Sequence, residues 1–376
     1  MPALASATHG RLVLYASDHG FGHAARMLAL AARLAEEGHA VTLCAGAATA
    51  MIEAAIPSLP RPIDVAHASI DPGLVARPSA VDFDLERSRE RLSAWRRDLP
   101  RLVDAEAERL ARLSASLVLA DAPAVAIAAA DRAGIGAVVC SNFTWLDMYA
   151  GRFGAEIDDA LASAYRPARF GLRLALGRMP LAGLSRVVDV AGALARRPRR
   201  ARTEVRRELG VAEDERMIGI GLGKSFDESL GPALASSAPA GVRLLVPAQG
   251  APKDPQAGTL VRFPSITSDP QDYFGACDLV LAKAGYSTLA EAAIAGVPLA
   301  VFPFAASPES ARLAEDVRSS GLGIALEHED EARRALADPE DLIARAREAH
   351  RGPLPDAAPL LVRALRDEGL LGPAIA

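Results

Sequence analysis

Short apolar runs alternate along the chain with longer segments in which apolar residues recur every three or four positions. Leu12-Val-Leu-Tyr15 opens the series, runs to Ala16, and gives way to the glycine-bearing stretch Asp18-His-Gly-Phe-Gly-His23. Met27, Leu30, Ala31 and Leu34 then share one side of a helix, Arg26, Arg33 and Glu37 share the other, and Gly38 stands where a C-cap is expected. Val41 to Cys44 is the next apolar run. Strand, loop, helix, strand is a βαβ start and predicts a parallel sheet with right-handed crossovers. The pattern continues with a helix over 84–115, a strand over 117–120 ending at Asp121, a helix over 124–133, and a strand over 137–140 ending at Ser141-Asn-Phe-Thr-Trp145. Residues 146–180 read as helices with a Gly/Pro-rich exit.

At Ala195-Arg-Arg-Pro-Arg-Arg-Ala-Arg202 the composition turns basic, and a short helix over 203–210 follows. Beyond it the alternation restarts, with strands over 217–220, 242–246, 259–263, 279–282 and 297–302, a helix over 289–295, and a helical tail. The reading is an α/β chain of two Rossmann-like, doubly wound parallel-sheet domains: 1–194, a basic linker and helix over 195–212, and 213–376. In open parallel sheets ligands bind outside the carboxyl ends of the strands. The expected site is therefore a cleft between facing domains, with a glycine-bearing loop from each pointing in.

Composition narrows the classes. Half of the 376 residues are hydrophobic and 24% are charged, which excludes a disordered, collagenous or coiled-coil chain. Lys+Arg is 42 and Asp+Glu is 47, a net charge of −5 that argues against general nucleic-acid binding. Cys44, Cys140 and Cys277 lie far apart, without zinc-ligand or CxxC spacing, and read as buried thiols in a reducing cytoplasm. The segment after Met1 does not read as a signal peptide, and the longest apolar run, 117–130, is broken by Asp121 and Pro123 and is too short for a bilayer. The expected location is cytoplasmic. A peripheral membrane contact stays open, although Arg196 to Arg202 reads more readily as a solvated linker than as a lipid site.

Four segments carry candidate chemistry. Gly20-Phe-Gly-His-Ala-Ala25 fits G-x-G-x-x-A, yet the second strand ends in Cys44-Ala-Gly-Ala47 without the ribose-binding acid a nicotinamide enzyme needs. The glycines still bring backbone close to a ligand at a helix N-terminus, and His23, at the loop-to-helix junction, suits proton transfer near neutral pH. Gly219-Ile-Gly-Leu-Gly-Lys-Ser225 imitates a phosphate-binding loop but lacks its glycine spacing, so ATP hydrolysis is not expected; a diphosphate-facing turn or a plain strand-to-helix turn remains. In Lys283-Ala-Gly-Tyr-Ser-Thr-Leu-Ala-Glu291 a helix is expected to start at Ser287 or Thr288, aiming free N–H groups, with Lys283, at a diphosphate. Thr288 and Glu291 also have the spacing of a capping box; the rival role for Glu291 is to grip ribose hydroxyls. Glu309, in Phe304-Ala-Ala-Ser-Pro-Glu-Ser310, reads either as a ligand for sugar hydroxyls or as a solvated acid. Asp82-Phe-Asp84 has a metal-binding D-x-D pattern without partner acids, and no metal site is expected.

With these segments in hand, the sequence resembles GT-B fold glycosyltransferases. The first loop, ending at His23, and the stretch from Asp278 to Pro298 resemble the peptidoglycan transferase that uses UDP-GlcNAc. Closer similarity is to the glycosyltransferase-like N-terminal domain of plant L-arabinokinases and its stand-alone bacterial relatives. It is carried by Gly20-Phe-Gly-His-Ala-Ala-Arg26, Ser141-Asn-Phe-Thr-Trp145, Val205-Arg-Arg-Glu-Leu-Gly210 and Lys283-Ala-Gly-Tyr-Ser-Thr288. The resemblance implies acceptor binding in the first domain and donor binding mainly in the second. Asp18-His19 replaces small residues of the peptidoglycan enzyme, and the loop over 221–225 differs from its counterpart.

The expected activity is inverting, metal-independent transfer of a sugar from a nucleotide diphosphate, a UDP-sugar first, to the hydroxyl of a small or lipid-linked acceptor, with no other cofactor and no obligate protein partner. His23 is the expected base, oriented by Asp18 or His19. The expected donor-binding residues are Gly20, Gly22, Gly221, Gly223, Lys224, Ser225, Phe263, Lys283, Gly285, Tyr286, Ser287, Thr288, Glu291, Glu309 and Ser310. Asp121, Asn142, Phe143 and Trp145 are expected on the acceptor side. Two other classes keep the same parts: a nucleotide-sugar hydrolase, in which water replaces the acceptor, and a non-catalytic nucleotide-sugar-binding module.

Overall fold

The computed structural model describes residues 10–75, 83–221, 241–247, 260–263, 269–303 and 307–372. The chain forms two compact units. The first comprises described residues up to 75, 83–194 and 356–372; the second comprises those from 195 to 355.

The first unit is built on a seven-stranded sheet, entirely parallel, in the order β3-β2-β1-β4-β5-β6-β7. These strands are β1 (Arg11–Ala16), β2 (Val41–Ala45), β3 (Asp64–His67), β4 (Ala115–Asp121), β5 (Gly136–Ser141), β6 (Phe170–Arg173) and β7 (Val187–Asp189). The central strands are unbroken apolar runs because helices cover both faces of the sheet. Val13, Tyr15, Val118, Ala120 and Val139 join Trp145, Tyr149 and Tyr165 in one core. The order reverses between β1 and β4, where Ala16 lies beside Asp121. That is the switch point at which doubly wound sheets place their ligands. The first helix, α1 (Phe21–Glu36), starts from the β1 side of it.

The second unit repeats the plan with six parallel strands in the order β10-β9-β8-β11-β12-β13. These are β8 (Arg216–Gly221), β9 (Val242–Pro247), β10 (Leu260–Phe263), β11 (Leu279–Lys283), β12 (Leu299–Phe302) and β13 (Gly323–Ala325). Its core gathers Ile218, Ile220, Leu244, Leu281, Phe302 and Leu326. Its switch point lies between β8 and β11, where Gly221 pairs with Ala282.

Three features depart from the sequence expectation. Strand β6 falls in the segment over 146–180 read as helices and their exit, β3 and β7 lie in stretches for which the sequence pattern predicts no element, and β13 interrupts the helical tail. The last helix, Ala357–Asp367, belongs to the first unit, not to a domain over 213–376. It buries Ala358, Leu361, Val362 and Leu365 and packs on α1, and Arg366 pairs with Glu37. Finally, the basic run is not a free linker. Arg196 pairs with Asp269 at 2.7 Å, the backbone N–H of Arg199 donates to Asp272 at 2.7 Å, and Arg202 pairs with Asp278 at 2.9 Å, all inside the second unit. Among the described residues no helix is long and apolar enough to cross a membrane.

Candidate functional site

In the first unit α1 begins at Gly20, whose φ of 146° favours glycine and lets the chain turn straight from β1 into the helix. No side chain caps this end and no acid lies in the first turn, an arrangement whose dipole favours an anion. His23 sits on that turn, 8% exposed. Its Nδ1 lies 2.9 Å from Asp121 Oδ2, at the carboxyl end of β4. The next residue, Ala122, has a φ of 74°, a left-handed turn that costs an L-residue about 1–2 kcal/mol. Tyr165 holds the turn by donating its hydroxyl proton to the Ala122 carbonyl.

Asp121 is fully buried and its charge is compensated on several sides. Arg26, one turn after His23, forks onto the carboxylate through Nε and through Nη2, the latter at 2.7 Å from Oδ1. Ser141 Oγ donates to the same Oδ1 at 2.7 Å. Arg26 Nη1 donates to Asn142 Oδ1 at 2.8 Å, and Asn142 Nδ2 donates to the Gly177 carbonyl at 3.3 Å. Burial works against the charge of Asp121, but Arg26 and His23 outweigh it and hold the carboxyl below the usual carboxylate range. Arg26 Nη2 also lies 2.9 Å from His23 Nδ1. The imidazole thus stands between a group that only donates and one that only accepts.

The expected orienting residues do other work. Asp18 Oδ1 accepts from the backbone N–H of Gly46 at 2.6 Å and of Ala47 at 3.1 Å, fastening the turn after β2. A Cβ on Gly46 would lie 2.2 Å from that carboxylate. This lock sits just past the end of β2, where a nicotinamide enzyme would grip ribose. The His19 ring packs against Trp145 with centroids 5.2 Å apart, and burial lowers its pKa to about 4, so it is neutral at pH 7. Asp121, expected on the acceptor side, is therefore the group that holds His23. Asn142, Phe143 and Trp145 are at most 2% exposed and form the wall behind His23 instead of an open acceptor surface. The Phe143 ring stands edge-on to His23 at 5.4 Å.

In the second unit the chain leaves β11 at Lys283 and enters the helix Tyr286–Ala295, with Gly285 as N-cap and no side-chain cap. The helix begins before Ser287, so Thr288 lies inside it and the capping-box reading of Thr288 and Glu291 fails. Thr288 Cγ2 packs against the end of β8, where a Cβ on Gly221 would lie 2.6 Å from it. Tyr286 is buried in the first turn, and Ser287 is half-buried beside it. Burial lowers the pKa of Lys283. Glu291 is 6% exposed; burial pushes its carboxyl up to about 7, and Arg196 opposes the shift. Ser310 donates its hydroxyl proton to the Ala284 carbonyl at 2.8 Å, which braces the turn ahead of Gly285. Glu309 stands half-buried in the first turn of the helix Pro308–Ser319. Gly22 lies in the first turn of α1. Gly223, Lys224, Ser225 and the side chain of Phe263 lie outside the described residues.

Comparison with solved structures places this geometry. The spinosyn forosaminyltransferase SpnP superposes with a TM-score of 0.62 at 14% identity, covering 96% of this chain and all of that one. Arabidopsis thaliana UGT89C1 complexed with quercetin gives 0.62 at 15%, covering 96% of this chain and 99% of that one. The spinosyn rhamnosyltransferase SpnG complexed with thymidine diphosphate gives 0.57 at 16%, covering 95% and 100%. The fold is GT-B. In sequence, this GT-B chain is 32% identical over 304 residues to L-arabinokinase of Arabidopsis thaliana, which covers 78% of this chain and only 28% of that protein. No protein-family model matches.

One residue that holds the His23–Asp121 pair was not expected as a site residue: Arg26 closes the Gly20–Arg26 run and reads as a polar position on α1, and only the fold brings it to Asp121. Among the described residues one group of possible metal ligands gathers, Glu327, His328 and Glu331; two of the three are exposed, and none belongs to the expected donor set.

Proposed function

We propose that this chain transfers a sugar from a nucleoside diphosphate, UDP first among them, to an acceptor hydroxyl, with inversion at the anomeric carbon. The observation that carries the reading is the buried His23–Asp121 pair at the carboxyl end of β1 and β4. With Nδ1–H donated to Asp121, His23 Nε2 takes the proton of the acceptor hydroxyl. The acceptor oxygen then bonds to the anomeric carbon as the bond from that carbon to the diphosphate oxygen breaks. Asp121 holds the ring and offsets the imidazolium charge that develops. Lys283 and the uncapped N-terminus of Tyr286–Ala295 meet the charge growing on the leaving diphosphate, so the reading does not call on a metal ion.

Glu291 accepts hydrogen bonds from the ribose, which relieves the cost of its burial, and Glu309 meets the sugar. A nucleoside diphosphate and a hydroxylated aromatic are the ligands named for two proteins of the same fold, SpnG and UGT89C1, and they support this donor and acceptor chemistry. The kinase activity of L-arabinokinase is not carried over, since this chain spans 28% of it.

A thermal-shift screen of UDP, thymidine diphosphate and their sugars tests the donor. A ligand at a hundred times its Kd stabilises the folded state by about 2.7 kcal/mol, and the true donor is expected to stand out accordingly. No response to any nucleotide would remove the reading. UDP release with and without acceptors then separates transfer from hydrolysis.

Glu291→Gln makes a second prediction. Between pH 4.5 and about 7 the native carboxyl keeps a proton that the unfolded chain releases, so the fold loses stability as pH rises through that window. Glutamine does not titrate. The variant is expected to melt higher than the parent at about pH 8, to match it near pH 4.5, and to bind UDP more weakly. Unchanged UDP affinity would take Glu291 out of the donor site.

A further inference from the structure

Arg196 lies at the start of the second unit, in the run that reads from sequence as a solvated linker. It is held against that unit instead. Its Nη1 lies 2.7 Å from Asp269 Oδ1, and its side chain is 14% exposed. Arg199 Nη2 reaches the other oxygen of the same carboxylate at 3.3 Å, and Gln271 Nε2 donates to Oδ1 at 3.1 Å. Pro198 packs where the helices Pro270–Gly275 and Tyr286–Ala295 meet: a Cβ on Gly275 would lie 3.0 Å from Pro198 Cγ and 3.6 Å from Ala295 Cβ. Ala295 is one turn beyond Glu291 on the second of these helices. The segment therefore runs beside Glu291, and Arg196 and Glu291 act on each other's charge.

Two guanidinium groups on one carboxylate leave a positive charge in excess, and Glu291, buried nearby, is an acid that can answer it. The elements packed against its helix are Pro270–Gly275, β11 and β12. They and the basic segment bring Asp269, Asp272, Arg199 and Lys283 to the neighbourhood, while β12 carries no charged residue. The field that favours ionised Glu291 comes from Arg196. The charge matters to the chemistry proposed for this site. An ionised carboxyl accepts at both oxygens, as the paired hydroxyls of a ribose require, whereas a protonated one gives up one oxygen to its own proton. Burial alone favours the protonated form.

We propose that Arg196 is a positioning residue of the donor site that acts through Glu291: its guanidinium keeps the Glu291 carboxylate ionised to accept from the ribose hydroxyls of a bound nucleotide. The inference rests on the reading that Glu291 meets the ribose. It makes donor affinity depend on a residue of the basic segment that need not touch the donor.

Carbon-detected NMR of protein labelled at the glutamate carboxyl follows Glu291 without any ligand, with Glu291→Gln to assign its signal. Arg196→Gln is expected to move the Glu291 titration midpoint up by about one pH unit or more. Arg196→Lys keeps the charge and is expected to leave the midpoint near that of the parent. In the parent itself the Arg196 Nε–H signal is expected to titrate with the same midpoint, a check that holds even if the glutamine variant folds poorly. Calorimetry of UDP then reads the consequence. Arg196→Gln is expected to weaken UDP about fivefold at pH 7 and less than about twofold at pH 9, where Glu291 is ionised in both proteins. The titration of UDP itself cancels in the ratio of variant to parent. An unmoved Glu291 midpoint overturns the proposal, and so does a loss of affinity equal at both pH values, which a merely structural role would give. The two readings fail separately. If the midpoint stays and UDP binds, this inference falls and the donor reading stands. If the midpoint moves and no nucleotide binds at either pH, the donor reading falls and takes the role of Arg196 with it, leaving only the charge coupling.

Discussion

His23→Ala is expected to lower turnover at least about a hundredfold while leaving UDP affinity nearly unchanged. The magnitude follows from the role. A base that removes the acceptor proton acts only as the new bond forms, so its loss falls on kcat, and Lys283 and Glu291, proposed to hold the diphosphate and ribose, lie in the other unit. Asn at the same position is expected to do no better, since it cannot carry the proton away. Steady-state kinetics with the donor found by thermal shift, together with calorimetry of UDP, checks both halves. A rate within a few-fold of the parent would take His23 out of the chemistry. A loss confined to UDP affinity would make it a donor ligand.

Arg26→Met carries the largest expected loss of stability, about 3–5 kcal/mol in the unfolding of the first unit. The guanidinium is 2% exposed and Asp121 is 0% exposed, so truncation strands a charge that water cannot reach. The same argument makes the pair conditional. With Asp121→Leu added, much of the loss should return, because an apolar pair replaces a buried ion pair at little cost. Guanidinium chloride unfolding of the parent, both single variants and the double variant measures the coupling. A cost below about 1 kcal/mol for Arg26→Met would place the pair in solvent, against the geometry.

The central strands were legible because a parallel strand covered on both faces needs no alternation: Leu12-Val-Leu-Tyr15, Leu117-Val-Leu-Ala120 and Leu279-Val-Leu-Ala282 read directly as buried runs. β6, β7 and β13 were not, since three or four residues containing Gly171, Asp189 or Gly323 carry no periodic signal. At Gly323 the reason for glycine is tertiary, as a Cβ there would lie 1.9 Å from the Leu299 carbonyl oxygen.

The sites divide in the same way. His23 and the Lys283 turn were legible from local chemistry at strand ends. The partner of His23 was not. Asp18 is five positions from it in sequence, but the turn out of β1 sends that carboxylate to β2, while Asp121 arrives from a strand 98 residues on. The helix start after β11 was misjudged because Gly285, with no capping side chain, begins the helix ahead of the polar pair that looked like a cap.

The role of His23 as base turns on which of its ring nitrogens carries the proton. Long-range ¹H–¹⁵N correlation on histidine-labelled protein, with His23→Gln to assign the signals, reads this directly and needs no substrate. The proton is expected on Nδ1, directed at Asp121, with Nε2 bare and ready to accept. A proton on Nε2, with Nδ1 instead accepting from Arg26, would leave the chain without its base and contradict the account.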